Sequence, residues 1–150
     1  MDKTNIIKFS SNHFQNQLHQ GDSINNVIKE VTNIKFLGLE LENNISWKNH
    51  VIKILPKLNR VCYAVRAMYP ISCMNTLKMI YLAYFHSIIS YGIILGGKSC
   101  ECKKVFLAQK KIIRIMTCSR PRTSCKPLFE SLGILTVPSQ YILTLMNFVL

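Results

Sequence analysis

Carboxylates are scarce in this chain: its 150 residues hold 7 Asp and Glu against 19 Lys and Arg. Asp2 and Asp22 are the only aspartates. Two-metal phosphoryl transfer needs clustered carboxylates to hold its ions, and nothing in the sequence positions two metals. A secretory signal is also missing, since the N-terminus MDKTNIIKFSSN is polar. The six cysteines are therefore expected as reduced intracellular thiols rather than as a disulfide framework. Zinc-ligand spacing is missing too. Structural zinc sites use ligand pairs about two to four residues apart, whereas Cys100-Glu101-Cys102 with Cys118 and Cys125 give a Cys-x-Cys and a distant pair. His86 lies inside an apolar run, where a core histidine is expected and not a general base. No repeat or low-complexity tract is visible. The sequence carries no recognisable active site, metal ligand set or small-molecule site of its own.

What is present is positive charge. The net charge is +12, with a pI near 9.6, and a balance this basic implies an anionic partner, either nucleic acid or a phospholipid surface. The distribution is lopsided: no Asp or Glu occurs from Asn43 to Cys100, or from Cys102 to Phe129. Hydrophobic residues make up 49%, which excludes a disordered chain. Charged residues at 17% fall below the roughly 25% of a typical soluble domain, so some apolar surface is expected to be covered by a partner. Met79 to Gly97 (MIYLAYFHSIISYGIILGG) has no charged residue and is about long enough to span a bilayer. It also holds His86, Ser87, Ser90 and Tyr side chains that lipid would leave unsatisfied, so a buried central helix is the favoured reading. A basic helical membrane-associated protein anchored by residues 79–97 is the alternative.

The period of the apolar residues divides the chain at about 44/45. NIIKFS (Asn5 to Ser10) and FLGLELE (Phe36 to Glu42) read as two strands, separated by the polar loop HFQNQLHQGDSINN around Gly21-Asp22. From Ser46, a plausible N-cap, Trp47, Val51, Ile54, Leu58, Cys62 and Val65 recur at helical spacing, with a kink or break expected at Pro56. Tyr69-Pro70 ends that helix. Further helices are expected over Asn75 to Leu95, Lys103 to Thr117, Pro127 to Leu132 and Pro138 to Leu150, with SRPRT (Ser119 to Thr123) as a loop. The expected class is mainly α with a small N-terminal β-hairpin (α+β).

Phosphate contact is the chemistry best supported. Lys53, Lys57 and Arg60 fall at i, i+4 and i+7, away from the apolar stripe. Lys103, Lys110 and Arg114 form a second stripe, with Lys111 beside it. Stripes without countercharges bind a nucleic-acid backbone without reading its sequence, and Trp47, Tyr63 and Tyr69 lie near enough to offer stacking.

The succession KTNIIKFS, NIKFLGLELENNISWKNHV, LPKLNRVCYAVRAM, LKMIYLAYFHSIISYGIILGG, QKKIIRIM and SCKPLFESLGILTVPSQYI runs in order from Lys3 almost to Leu150. It resembles the C-terminal part of the reverse-transcriptase domain of LINE-type (non-LTR, jockey-like) retrotransposons. That resemblance implies a palm edge and primer grip over residues 1–44, and a thumb-like helical bundle over 45–150. FLGLEL becomes the primer-grip hairpin, with Phe36, Leu37 and Gly38 as candidates near the primer terminus, and an RNA–DNA hybrid or duplex becomes the partner of the basic stripes. It also implies a fragment of an RNA-directed DNA polymerase without its Tyr/Phe-x-Asp-Asp aspartates, so no catalysis is expected of this chain as it stands. Mg2+ is expected only for the full-length enzyme, and the location would be intracellular, cytoplasmic or nuclear. One departure concerns packing: Gly96-Gly97 stands where the family has Trp-Gly, leaving a large side chain missing.

Overall fold

A computed structural model describes residues 5–9, 29–44, 46–97 and 99–149. Asp2, Lys3-Thr4, Ser10, the loop around Gly21-Asp22 and Leu150 lie outside the described residues. The chain divides into two units, Met1–His50 and Val51–Leu150, and the architecture is mainly helical with a small antiparallel hairpin near the N-terminus.

In the first unit, β1 (Asn5–Ile6) pairs in parallel with β2 (Lys29–Glu30). The hairpin is not made by the two predicted strands pairing with each other. It forms from β3 (Asn33–Phe36), which mostly precedes the second predicted strand, and β4 (Leu39–Glu42), with Phe36 opposite Leu39. Leu37 and Gly38 form the two-residue turn at φ 47° and 84°. Positive φ at both positions is the turn that matches the twist of the flanking strands. FLGLELE is therefore a turn plus one strand, and the alternation across Leu37-Gly38 does not carry a continuous strand.

Glu42, at the end of β4, turns its carboxylate to the first turn of α1 (Lys48–Met68), where Asn49 N–H donates to it at 3.0 Å. A negative group at a helix N-terminus meets the exposed N–H dipoles favourably. Ser46 Oγ accepts from Lys48 N–H at 3.4 Å, as an N-cap does. His50 is buried, takes the Glu40 N–H on Nδ1 at 3.4 Å, and meets Trp47 edge-on with ring centroids 5.1 Å apart.

In the second unit, α1 runs through Pro56 without the expected break. Proline removes one helical N–H, that to the Ile52 carbonyl. Ile52 and Pro56 are both exposed, so the lost bond falls on the solvent side of the helix, while Leu58, Cys62 and Val65 hold the helix by burial. After a turn at Tyr69–Ile71, α2 (Met74–Ile80) passes through a wider, π-wound turn at Tyr81–His86 into α3 (Ser87–Ser90). The predicted Asn75 to Leu95 helix does not continue. Gly92 adopts φ 83°, a left-handed conformation that glycine takes without steric cost, and α4 (Ile93–Gly96) starts anew. The 79–97 segment is thus interrupted, and it is not a buried central helix: Tyr81, Phe85, Ile89 and Ile93 are buried on one face, while Met79, Leu82, Tyr84, Tyr91 and Leu95 are exposed. No single helix among the described residues is long and apolar enough to cross a membrane. The pair Lys126–Leu132 and Val137–Val149, bent by 53°, passes that test together by length and composition.

The remaining helices are α5 (Cys102–Met116), α6 (Lys126–Leu132) and α7 (Val137–Val149), each within a residue of its predicted start. Gly133 caps α6 at φ 61°, with Ile134 N–H on Phe129 O and Gly133 N–H on Glu130 O. That is the glycine-terminated helix end in which a following apolar residue, here buried Ile134, packs back. α5 ends in the same way, with Cys118 in the glycine's place at φ 50°. Ser119 N–H bonds to Arg114 O and Cys118 N–H to Ile115 O.

Gln109 of α5 sits in the core. Its Nε2 donates to Tyr81 Oη at 2.9 Å and to Leu135 O at 2.8 Å, while its Oε1 accepts from Val137 N–H at 2.9 Å. One amide thereby joins α5, the π-wound turn and the start of α7. Burial pushes the Tyr81 hydroxyl up to about 12 from 10, with the Gln109 bond working the other way. The unfolded chain releases that proton first, so this stability is present below about pH 10 and is lost as pH rises toward 12. The shift is worth about 2–3 kcal/mol. Urea melts across that window should show the loss in the parent chain and a shallower decline in Tyr81→Phe. Identical slopes would contradict the assignment.

Candidate nucleic-acid interface

The two basic stripes predicted from sequence do not merge. On α1, Lys53, Lys57 and Arg60 are exposed and stand opposite the buried Leu58, Cys62 and Val65. A second row with the same spacing, Asn59, Tyr63 and Arg66, runs along the flank of α1 nearer α5. Lys111 of α5 reaches across to it, with Nζ 3.5 Å from Asn59 Oδ1. Arg66 is absent from the sequence-derived set, although its i, i+4, i+7 relation to Asn59 and Tyr63 is a signal of the same kind. What hid it is the uncharged character of the rest of its row.

On α5 the cations part. Lys103 is exposed near the helix start, beside the Lys104–Glu101 ion pair at 2.5 Å. Lys110 turns toward α6: its Nζ lies 4.3 Å from the centre of the Phe106 ring, and it lines a cleft of about 630 Å³ that also holds Lys126 and Glu130. Adjacent helical positions differ by about 100° in direction, so Lys111 turns the other way, toward α1. Arg114 joins Lys111 and pins the SRPRT loop, donating from Nε and Nη2 to Thr123 O at 3.1 and 3.0 Å.

Arg66, Lys111 and Arg114 thus line one cleft of about 450 Å³, together with Tyr69, Ile115 and Ser119. Cys118 and Pro121 complete the lining, and no carboxylate takes part. A smaller cleft of about 120 Å³ adjoins it, with Arg66 and Lys111 in common and Asn59, Cys62 and Tyr63 on its walls. Burial pushes the Cys62 thiol up, against the opposing pull of Lys111 and then Arg66. A hydrogen bond to Cys118 raises the Tyr69 hydroxyl. The carbonyls of Ile113, Arg114 and Ile115 at the negative end of α5 accept from Thr117, Ser119 and Cys118 N–H. They therefore oppose an anion in the cleft less than open carbonyls would.

Phe36, Leu37 and Gly38 occupy the hairpin tip of the first unit, all three exposed. Trp47 is buried and unavailable for stacking, whereas Tyr63 and Tyr69 are exposed. No group of His, Cys, Asp and Glu among the described residues could hold a metal ion. Cys100 is exposed, Cys102 half-buried, Cys118 exposed and Cys125 buried, and His86 is half-buried with its Nδ1 3.2 Å from Ser90 Oγ.

Compared with models of protein families, with curated proteins and with solved structures, the chain has no match. The functional reading rests on its own residues.

Proposed function

We propose that this chain binds the backbone of double-stranded nucleic acid, an RNA–DNA hybrid or a duplex, without reading base sequence. The observation that carries this reading is the carboxylate-free surface on which Arg66 of α1 meets Lys111 and Arg114 of α5. Cations gathered with no countercharge among them exchange condensed counterions for protein contacts when a polyphosphate docks. The exposed Lys53, Lys57 and Arg60, and Lys103, extend positive charge over other faces of the same helices and steer an anionic rod toward the chain. Lys110, held over Phe106, contributes less to the contact.

The sequence resemblance supports the same reading from another side. A thumb of a LINE-type reverse transcriptase would close on the template–primer duplex with such a helical surface. The hairpin tip at Phe36, Leu37 and Gly38 would take the place of the primer grip. On that reading the chain grips nucleic acid, and chemistry belongs to metal-binding aspartates elsewhere in the polymerase domain.

Neutralising Arg66 and Lys111 together (Arg66→Gln, Lys111→Gln) should lower the slope of log K against log salt by about two. Both side chains are exposed, so the fold should survive. An unchanged slope, with binding intact, would remove this surface from the interface.

A further inference from the structure

The cleft lined by Arg66, Lys111 and Arg114 is concave, which a track for a continuous backbone does not need to be. We propose that it is the seat of a strand end: it takes the terminal phosphate monoester of a nucleic acid, with the first nucleotide against its apolar wall. This rests on the backbone-binding reading and assigns one part of that surface a separate task.

Charge argues for a monoester. A backbone diester carries a single negative charge, while a phosphate monoester carries about −1.5 to −2 near neutral pH and offers three terminal oxygens. Arg66, Lys111 and Arg114 all line the same cleft with no acidic residue beside them. A doubly charged group balances such a cluster better than a single diester would.

Donor number agrees with charge. A guanidinium has five N–H donors, and Arg114 commits its Nε and one Nη2 to Thr123 O, which fixes its plane while leaving the others for a ligand. Lys111 spends one contact on Asn59. The Tyr69 and Ser119 side chains stand in the same lining, with their hydroxyls already engaged by Cys118 and by Thr117 Oγ1. Fixed donors lose little freedom when an anion arrives.

Size and wall chemistry indicate more than free phosphate. A cleft of about 450 Å³ lies within the range that small ligands occupy, about 300–1,000 Å³, and exceeds what one phosphate fills. Ile115, Pro121 and the Tyr69 ring supply apolar surface on which a sugar or base can rest.

The test titrates the purified chain with one short RNA–DNA hybrid in two forms. The forms differ only in a 5′-phosphate or a 5′-hydroxyl at one end, and the fluorophore sits at the other end. The 5′-phosphorylated form should bind about tenfold more tightly, a difference of about 1.4 kcal/mol. Arg66→Gln with Lys111→Gln should abolish that preference. Lys53→Gln with Lys57→Gln, away from the cleft, should weaken both forms equally and keep it. Equal binding of the two forms by the parent chain overturns the strand-end seat and leaves backbone binding standing, as does a preference that survives in the cleft variant. Failure to bind either form overturns both.

Discussion

Replacing Gln109 by Leu should cost the Val51–Leu150 unit about 3–5 kcal/mol, because two buried polar groups and one part-buried carbonyl lose their partner at about 1–3 kcal/mol each. The groups are the Tyr81 hydroxyl, the Leu135 carbonyl and the Val137 N–H. Leucine nearly matches glutamine in volume, so the cavity contribution is small and the measured loss reports the polar network. For a unit of this size the melting temperature should fall by roughly 12–40 °C, at about 4–8 °C per kcal/mol. A loss below about 1 kcal/mol in urea melts would mean that water or relaxation replaces those bonds.

The second large effect is expected at Gly97. A methyl group there would overlap the Tyr141 ring of α7 near its root, at Cγ, Cδ2 and Cε2. The root of a ring cannot swing aside without changing the side chain's first torsion, so Gly97→Ala should cost about 1–3 kcal/mol as overpacking. In a Tyr141→Ala background the same substitution should cost close to nothing. Equal costs in the two backgrounds would show that the ring does not fill that space. Tyr141 fills the space beside Gly97.

These sites show what the sequence made legible and what it concealed. Helix positions were readable because burial imposes a 3.6-residue period wherever one face packs: α5, α6 and α7 each begin within a residue of expectation. The turn at Leu37-Gly38 is implied by the resemblance but not visible in the apolar period, since leucine at positive φ breaks no apolar pattern and FLGLELE alternates on both sides of it. The interruption at Gly92 was hidden inside an apolar run that reads equally well as one helix. Pro56 misleads in the opposite direction, because burial on either side of it outweighs one lost hydrogen bond.

The candidate site was legible as charge but not as geometry. Lys110, Lys111 and Arg114 were visible as a cluster, yet helical direction sends Lys110 to Phe106 and Lys111 to Asn59. Arg66 joins the cluster only through the approach of α1 to α5, which no local pattern encodes. Nothing in the sequence around Gln109 marks it as a core residue. Its burial follows from the convergence of α5, the π-wound turn and α7 on one point.

The most direct measurement is chemical-shift mapping of the labelled chain during titration with a short RNA–DNA hybrid. The account predicts that the largest shifts fall on Asn59, Tyr63, Arg66, Lys111 and Arg114, and that they fade as salt is raised. Shifts confined to other residues, or none at hybrid concentrations well above those of the protein, would contradict it.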